Sequence, residues 1–216
     1  MVVASVDASH ASMAMPGMQP KVFCVGFQKT GTSSMGKALG ILGYKVRGWL
    51  AINNERKPKR YVSIDEPITQ EKLAHVCIPL LSGFDAAQDT PWFLLYRQLD
   101  EAFPGSKFIL TRREPEAWFG SFRRHFGENG FGMMHFIYGE SEIREDNRDA
   151  FIRRYMAHNE SVEHYFRNRR DDLLVLDIET ASWDTLCGFL NRRKPLFRPF
   201  PHANSYAIRR MKRFLK

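Results

Sequence analysis

Apolar and polar positions follow two alternating rhythms along this chain. Val22 to Val25 is a short unbroken apolar run ending at Gly26, the pattern of a strand buried on both faces. Thr32 to Leu42 then takes helical spacing and stops at Gly43, while Asn53 to Arg60 is polar and charged around Pro58 and reads as a loop. Thr69 to Leu81 predicts a helix. Trp92, Tyr96, Leu99 and Phe103 repeat at helical intervals after Pro91, and Pro104-Gly105 closes that helix. Lys107 to Thr111 (KFILT) is the next strand, and Pro115 opens a helix striped by Trp118, Phe122 and Phe126. Phe151, Tyr155, Val162 and Phe166 mark a long helix, Leu173 to Leu176 a strand, and Ser182 to Leu190 a helix capped by Ser182.

Strands alternating with helices predict an α/β fold: a three-layer, doubly wound parallel sheet with flanking helices and a P-loop-like strand–loop–helix at its start. Ligands of such sheets bind at the carboxyl ends of the strands. Residues 1–20 read as a disordered leader, 21–205 as the α/β domain and 206–216 as a basic tail. Within the domain, Gly127 to Asp149 interrupts the pattern with glycines, charges and an apolar patch (Met133, Met134, Phe136, Ile137, Tyr138). That segment reads either as a lid or acceptor-binding excursion or as an ordinary core helix.

Composition narrows the class. Of 216 residues, 44% are hydrophobic and 13% aromatic, enough for a packed core and too many for a mainly disordered chain. No run approaches the roughly 18 apolar residues of a membrane span. The first twenty residues lack Lys and Arg, unlike a secretory signal or transit peptide. Cys24, Cys77 and Cys187 are odd in number and far apart, which suggests neither a disulfide framework nor a zinc site and favours a reducing, cytoplasmic setting. The net charge of +8 is concentrated: from Gly188 onward there are nine basic residues and no acid, against 23 basic and 24 acidic residues before it. A basic end of this kind meets an anionic ligand, nucleic acid or membrane, or is simply solvated.

The candidate chemistry begins in VFCVGFQKTGTSSM. Gly26 and Gly31 are spaced as in a Walker-type loop, where backbone N–H groups and a helix start converge on an anion. A nucleoside triphosphatase places Lys directly after the second glycine. Here Thr32 stands there, and the lysine is Lys29, inside the loop. A phosphosulfate anhydride carries less charge at its scissile end than a magnesium triphosphate, so one lysine suits it without a metal. Lys29, Thr30, Gly31, Thr32, Ser33 and Ser34 are the expected anion-binding residues.

The run Gln28-Lys29-Thr30-Gly31-Thr32-Ser33 resembles the 5′-phosphosulfate loop of sulfotransferases that use 3′-phosphoadenylyl sulfate (PAPS). In that family an Arg at a strand end and a Ser eight positions later hold the 3′-phosphate. Here KFILT leads into Arg113, with Ser121 eight beyond; on their own these two could equally be an Arg paired with Glu114 or Glu116 and an exposed Ser. ALGILGYKV, DDLLVLD and FPHANS match more loosely, so the resemblance runs from about Lys21 to Ser205.

The resemblance implies sulfuryl transfer from PAPS to a hydroxyl or amine of a small-molecule or glycan acceptor, with release of PAP and no metal. It gives Lys29 the task of stabilising the leaving phosphate. The family's usual base position, a His before this helix, falls on Asp89-Thr90-Pro91, so Asp89 is the candidate base and Asp85 a weaker second. Ser34 occupies the place of an adenine-stacking Trp, and the Arg-Lys-Gly triplet that closes on the 3′-phosphate is missing; Arg209, Arg210 and Lys212 are candidate substitutes. His125, His135, His158, His164 and His202 show no metal-ligand spacing and read as surface or packing residues. Asp177 and Glu179 end the last strand like a Walker B segment, which keeps a magnesium-dependent small-molecule kinase or nucleotidase as the alternative, beside a non-catalytic anion-binding module. No nucleic-acid partner is expected, and a homodimer is left open.

Overall fold

The computed structural model of the protein describes residues 19–53 and 61–202. β1 (Val22–Cys24) leads through the glycine loop into α1 (Thr32–Ile41). Short strands β2 (Val46–Arg47), β3 (Ala51–Ile52) and β4 (Tyr61–Val62) follow, then α2 (Gln70–Cys77) and β5 (Ala86–Gln88). α3 (Tyr96–Ala102), β6 (Lys107–Arg112), α4 (Pro115–Phe126), α5 (Met134–Tyr138), α6 (Arg148–Tyr165), β7 (Leu173–Asp177) and α7 (Trp183–Leu190) complete the order. Three of these helices start on a side chain that accepts from their first turn: Thr69 from Lys72 N, Glu114 from Glu116 N and Ala117 N, and Ser182 from Thr185 N.

Five strands form one parallel sheet in the order β2-β5-β1-β6-β7, and β3 pairs with β4 in a separate parallel pair. Strand periodicity then builds the three layers. Val22, Cys24, Ala86 and Ile109 face Met35, Ala38 and Leu39 of α1 and Leu186 of α7. Phe23, Val25, Ala87, Phe108 and Leu110 face the other way, onto Trp92, Leu99, Trp118, Phe122, Tyr155 and Val162. The expected α/β architecture is therefore the observed one.

Several expectations change: the short strands β2, β3 and β4 are unexpected, and the helix expected after Pro91 begins as a 3-10 turn over Trp92–Leu95 before α3. No strand is expected over residues 86–88, because Ala-Ala-Gln is a poor strand sequence and too short to show alternation. In the fold those alanines are fully buried beside β1, where pairing partners on both sides outweigh local preference. The helix expected over Thr69 to Leu81 also divides, into α2 and a 3-10 turn over Ile78–Leu81 that carries Pro79.

Register brings the site together. Cys24 lies opposite Gln88 on one side and Ile109 on the other. The chain leaving β1, β5 and β6 therefore emerges along one edge, carrying the glycine loop, Asp89 and Arg113.

Candidate active site

A cavity of about 580 Å³ opens at that edge. Its lining includes Gln28, Lys29, Gly31, Thr32, Ser33 and Ser34 from the loop, Asp89 and Thr90 after β5, and Arg113 and Ser121 around α4. Ile178 and Glu179 beyond β7 also contribute. Residues as far apart as Gln28 and His202 thus share one concavity, because the parallel strands β1, β5 and β6 all leave the sheet at the same edge.

The glycine loop is built by close approach. A Cβ on Gly26 would stand 2.1 Å from Thr111 Oγ1, and one on Gly31 2.1 Å from Ile178 Cγ1, so no other residue fits either place. Gly31 also has φ +100, as has its loop neighbour Lys29 a positive value of 71. Left-handed backbone at a lysine is uncommon and held here by what surrounds it. α1 begins on Gly31 with no side-chain cap and no acid in its first turn, so its first N–H groups and its positive end face the cavity.

Thr30, expected among the anion ligands, is used otherwise. Its buried hydroxyl donates to Phe27 O at 2.6 Å and lies 2.7 Å from Thr111 Oγ1, bracing the loop against β6. Gln28, whose role the sequence does not reveal, is a second brace. Its Nε2 donates to Thr90 Oγ1 (2.8 Å), its Oε1 accepts from Tyr138 (3.2 Å), and its carbonyl accepts from Trp118 Nε1 (2.8 Å).

Asp89 stands at the carboxyl end of β5 with φ 74. The Thr90 amide donates to Oδ1 at 2.8 Å and the Thr32 hydroxyl to Oδ2 at 3.1 Å. Burial raises its carboxyl above the ordinary carboxylate value, against the lowering effect of those bonds and of the Lys29 charge. A carboxylate so placed is a stronger base than one in water. Asp85 lies at the opposite end of the same strand, where it accepts from Lys45 N (2.8 Å), and it does not line the cavity.

Arg113 is held through its backbone. Its amide donates to the Tyr155 hydroxyl (2.9 Å), which donates in turn to the Arg113 carbonyl (2.8 Å). Tyr155 stacks on Trp118 with centroids 4.4 Å apart and planes 9° apart. One aromatic pair therefore grips both the glycine loop, through Trp118, and the Arg113 turn. Glu114 caps α4, where it also feels the Arg113 charge, and Glu116 pairs with Arg148, so neither neighbour forms an ion pair with Arg113. Its ion-pair partner is Glu179 at 3.6 Å, beyond hydrogen-bond reach, and the buried Arg113 Nε has no hydrogen-bond partner. An unsatisfied guanidinium donor in a cavity that Ser121 also lines can serve an oxyanion.

Of the histidines read from sequence as surface or packing residues, His125 and His202 line the cavity with Lys29; the remaining sequence candidates fall elsewhere. His158 is buried under the loop, bonded to Val25 O at 2.8 Å, and burial lowers its pKa to about 4. Its Nε2 therefore carries the proton, and the ring is neutral packing. Asp177 Oδ1 accepts from Glu179 N (2.9 Å) within its own turn. Cys24, Cys77 and Cys187 are buried and unpaired, and burial pushes the Cys24 thiol up to about 11. Met133, Met134, Ile137 and Tyr138 are core residues, leaving Phe131 as the part of that segment which lines the cavity. Arg209, Arg210 and Lys212 lie outside the described residues. Among the described residues no group of three or more His, Cys, Asp or Glu side chains is placed to hold a metal ion, and no helix is long and apolar enough to cross a membrane.

Two comparisons bear on this arrangement. The model of one family, described as Sulfotransferase domain, matches residues 21–139 and 131–208. A fungal protein named Ava biosynthesis cluster protein M, from Aspergillus versicolor, is 30% identical over 111 residues, 47% of this chain. The match covers 41% of that relative's length.

Proposed function

Since the chain belongs to the Sulfotransferase domain family, we propose that it moves the sulfuryl group of PAPS to a hydroxyl or amine of an acceptor and releases PAP. The observation that carries this reading is one cavity lined both by the uncapped α1 start with Lys29 and by Arg113 and Ser121, which we read as two anion positions. A donor with phosphate at both ends of its nucleoside requires that doubling. A triphosphate, with its charge at one end, does not.

The residues divide the work. Gly31, Thr32 and Ser33 hold the 5′-phosphate with their backbone N–H groups and the Ser33 hydroxyl, the Thr32 hydroxyl being given to Asp89, and Ser34 lies beyond them on α1. Arg113 and Ser121 hold the 3′-phosphate. Asp89 takes the acceptor proton while the acceptor oxygen or nitrogen bonds to sulfur. Lys29 stabilises the charge left on the departing phosphate oxygen as the S–O bond breaks. The fungal relative is named for a biosynthesis cluster, and an enzyme that modifies a biosynthetic product in a reducing, cytoplasmic compartment is the setting we assign.

Calorimetric titration of PAP tests the reading. Wild type is expected to bind PAP, and Arg113→Ala to bind it about 10–100-fold more weakly, the loss of a charge-assisted contact. Transfer from PAPS is expected to persist in chelator. No PAP binding to wild type would sink the assignment; undiminished binding to Arg113→Ala would remove only the 3′-phosphate site.

A further inference from the structure

The cavity has an aromatic wall that phosphate binding leaves unused. Trp49, Phe126 and Phe131 line it beside the residues already assigned. Trp49 is one of the few large apolar side chains left exposed, at 39%, although Leu50 and Ala51 next to it are buried. Its position is fixed from both sides. Trp92 Nε1 donates to Gly48 O at 3.0 Å, and Leu50 N donates to Thr90 O at 2.9 Å. The indole is therefore mounted on backbone tied to the segment that carries Asp89.

The other rings come from the far end of α4. Phe126 and Phe131 pack with centroids 4.7 Å apart and planes 35° apart. The turn after Phe131 abuts the end of β3: a Cβ on Gly132 would lie 2.9 Å from Ile52 O. Rings some 80 positions apart in sequence thus meet around the same space, near a carboxylate that can take a proton.

We propose that this wall is the acceptor subsite and that the acceptor is a neutral aryl alcohol, a flat ring bearing the hydroxyl that receives the sulfuryl group. The inference rests on the sulfuryl-transfer reading and names the substrate class of that site. A flat apolar ring gains contact area against an indole and two phenyl rings at little loss of conformational freedom. A glycan would bring several hydroxyls to a wall whose rings, counting His125 packed on Phe126 with centroids 4.7 Å apart, offer only the polar groups of one indole and one imidazole. In the reaction the aryl oxygen bonds to sulfur as the bond from sulfur to the phosphate oxygen breaks. PAP leaves with that electron pair, and the hydroxyl proton passes to Asp89. A phenolic hydroxyl, with an ordinary pKa of about 10, suits a carboxylate base far better than an aliphatic alcohol does.

Calorimetric titration of 2-naphthol into the full chain, with and without saturating PAP, tests this. Naphthol is expected to bind both forms. Trp49→Ala and Phe131→Ala should each weaken it about tenfold while leaving PAP affinity within about twofold. The half-exposed Trp49 makes its variant safe for folding, and retained PAP binding verifies that. Displacement of naphthol by PAP would overturn the proposal, because the rings would then be a nucleobase site. Unchanged naphthol binding in Trp49→Ala, or preferred binding of N-acetylglucosamine, would overturn it too. If PAP failed to bind while naphthol binding still depended on Trp49, the sulfuryl-transfer reading would fall and the aryl-alcohol subsite would stand.

Discussion

The two faces of the sheet are built from different side chains and do different things. On the face covered by α3, α4 and α6, the packing is aromatic, and several rings carry a polar edge. Trp118 bonds to the Gln28 carbonyl, Tyr155 to both backbone groups of Arg113, His158 to Val25 O and Trp92 to Gly48 O. Each of those partners lies in, or next to, a segment that shapes the cavity. On the face covered by α1 and α7, Met35, Ala38, Leu39 and Leu186 have no polar atom to give. Trp183 does, but it bonds to Arg198 O, away from the cavity. The difference teaches that the packed side chains of the α1–α7 layer supply burial, only the start of α1 reaching the cavity, while the other layer supplies burial and aim.

The largest expected effects fall on the residues that both layers position. Lys29→Met and Asp89→Asn should each lower kcat by about 10²–10⁴-fold, the range for one electrostatic or proton-transfer group. Asn is well suited to the positive φ of position 89. It also removes a charge that burial disfavours: with the folded pKa raised above the unfolded value, the ionised carboxylate is a net destabiliser at neutral pH. Asp89→Asn is therefore expected to raise Tm at pH 7, a gain that shrinks as pH falls and the wild-type carboxyl protonates. Wild-type kcat/KM should rise with pH through a value above that of an ordinary carboxylate. An unchanged rate in Asp89→Asn would remove Asp89 as base.

Truncation on the mute face separates stability from binding. Leu39→Ala, at a fully buried position, should lower stability by about 3 kcal/mol and leave PAP affinity within about twofold at a temperature where it stays folded. A large loss of PAP affinity would break the proposed division between faces.

His158 makes the aromatic face sensitive to acid. Its folded pKa of about 4 lies below the ordinary 6.5. The stabilisation from its neutral ring is complete above pH 6.5 and is lost as pH falls through that window towards 4. Between pH 7.5 and 4.5 wild type should lose about 2–3 kcal/mol more than His158→Gln, which keeps an N–H donor without titrating. Urea midpoints at the two pH values measure this, and equal losses would show that the ring does not report on folding.

The smallest effect is the sharpest. Tyr155→Phe keeps the stack on Trp118 and deletes only the hydroxyl that bridges Arg113. PAP affinity should fall about 5–10-fold, with Tm little changed and adenosine 5′-phosphate affinity preserved. Equal weakening of both nucleotides would mean that Tyr155 acts through general packing rather than through Arg113.

Local chemistry made much of this protein legible in its sequence. The apolar run before Gly26, the KFILT strand and the cap at Ser182 each act within a few residues, so periodicity and turn chemistry reveal them, whereas the caps at Thr69 and Glu114 emerge only in the fold. The glycine loop and the Arg113–Ser121 spacing are local for the same reason, and the fold brings both to the cavity as candidate anion-binding groups. Tertiary structure decided the rest. Whether Ala-Ala-Gln becomes a strand depends on the neighbours it pairs with, and that pairing is what carries Asp89 to the loop and leaves Asp85 at the wrong end. Thr30 turns inward because Thr111 lies across from it, and Trp118, Tyr155 and Trp49 acquire their roles from partners 40 to 90 residues away. A sequence lists which groups can donate, accept or stack, but burial and distance select the partner, and both are set only when strands far apart in the chain come into register.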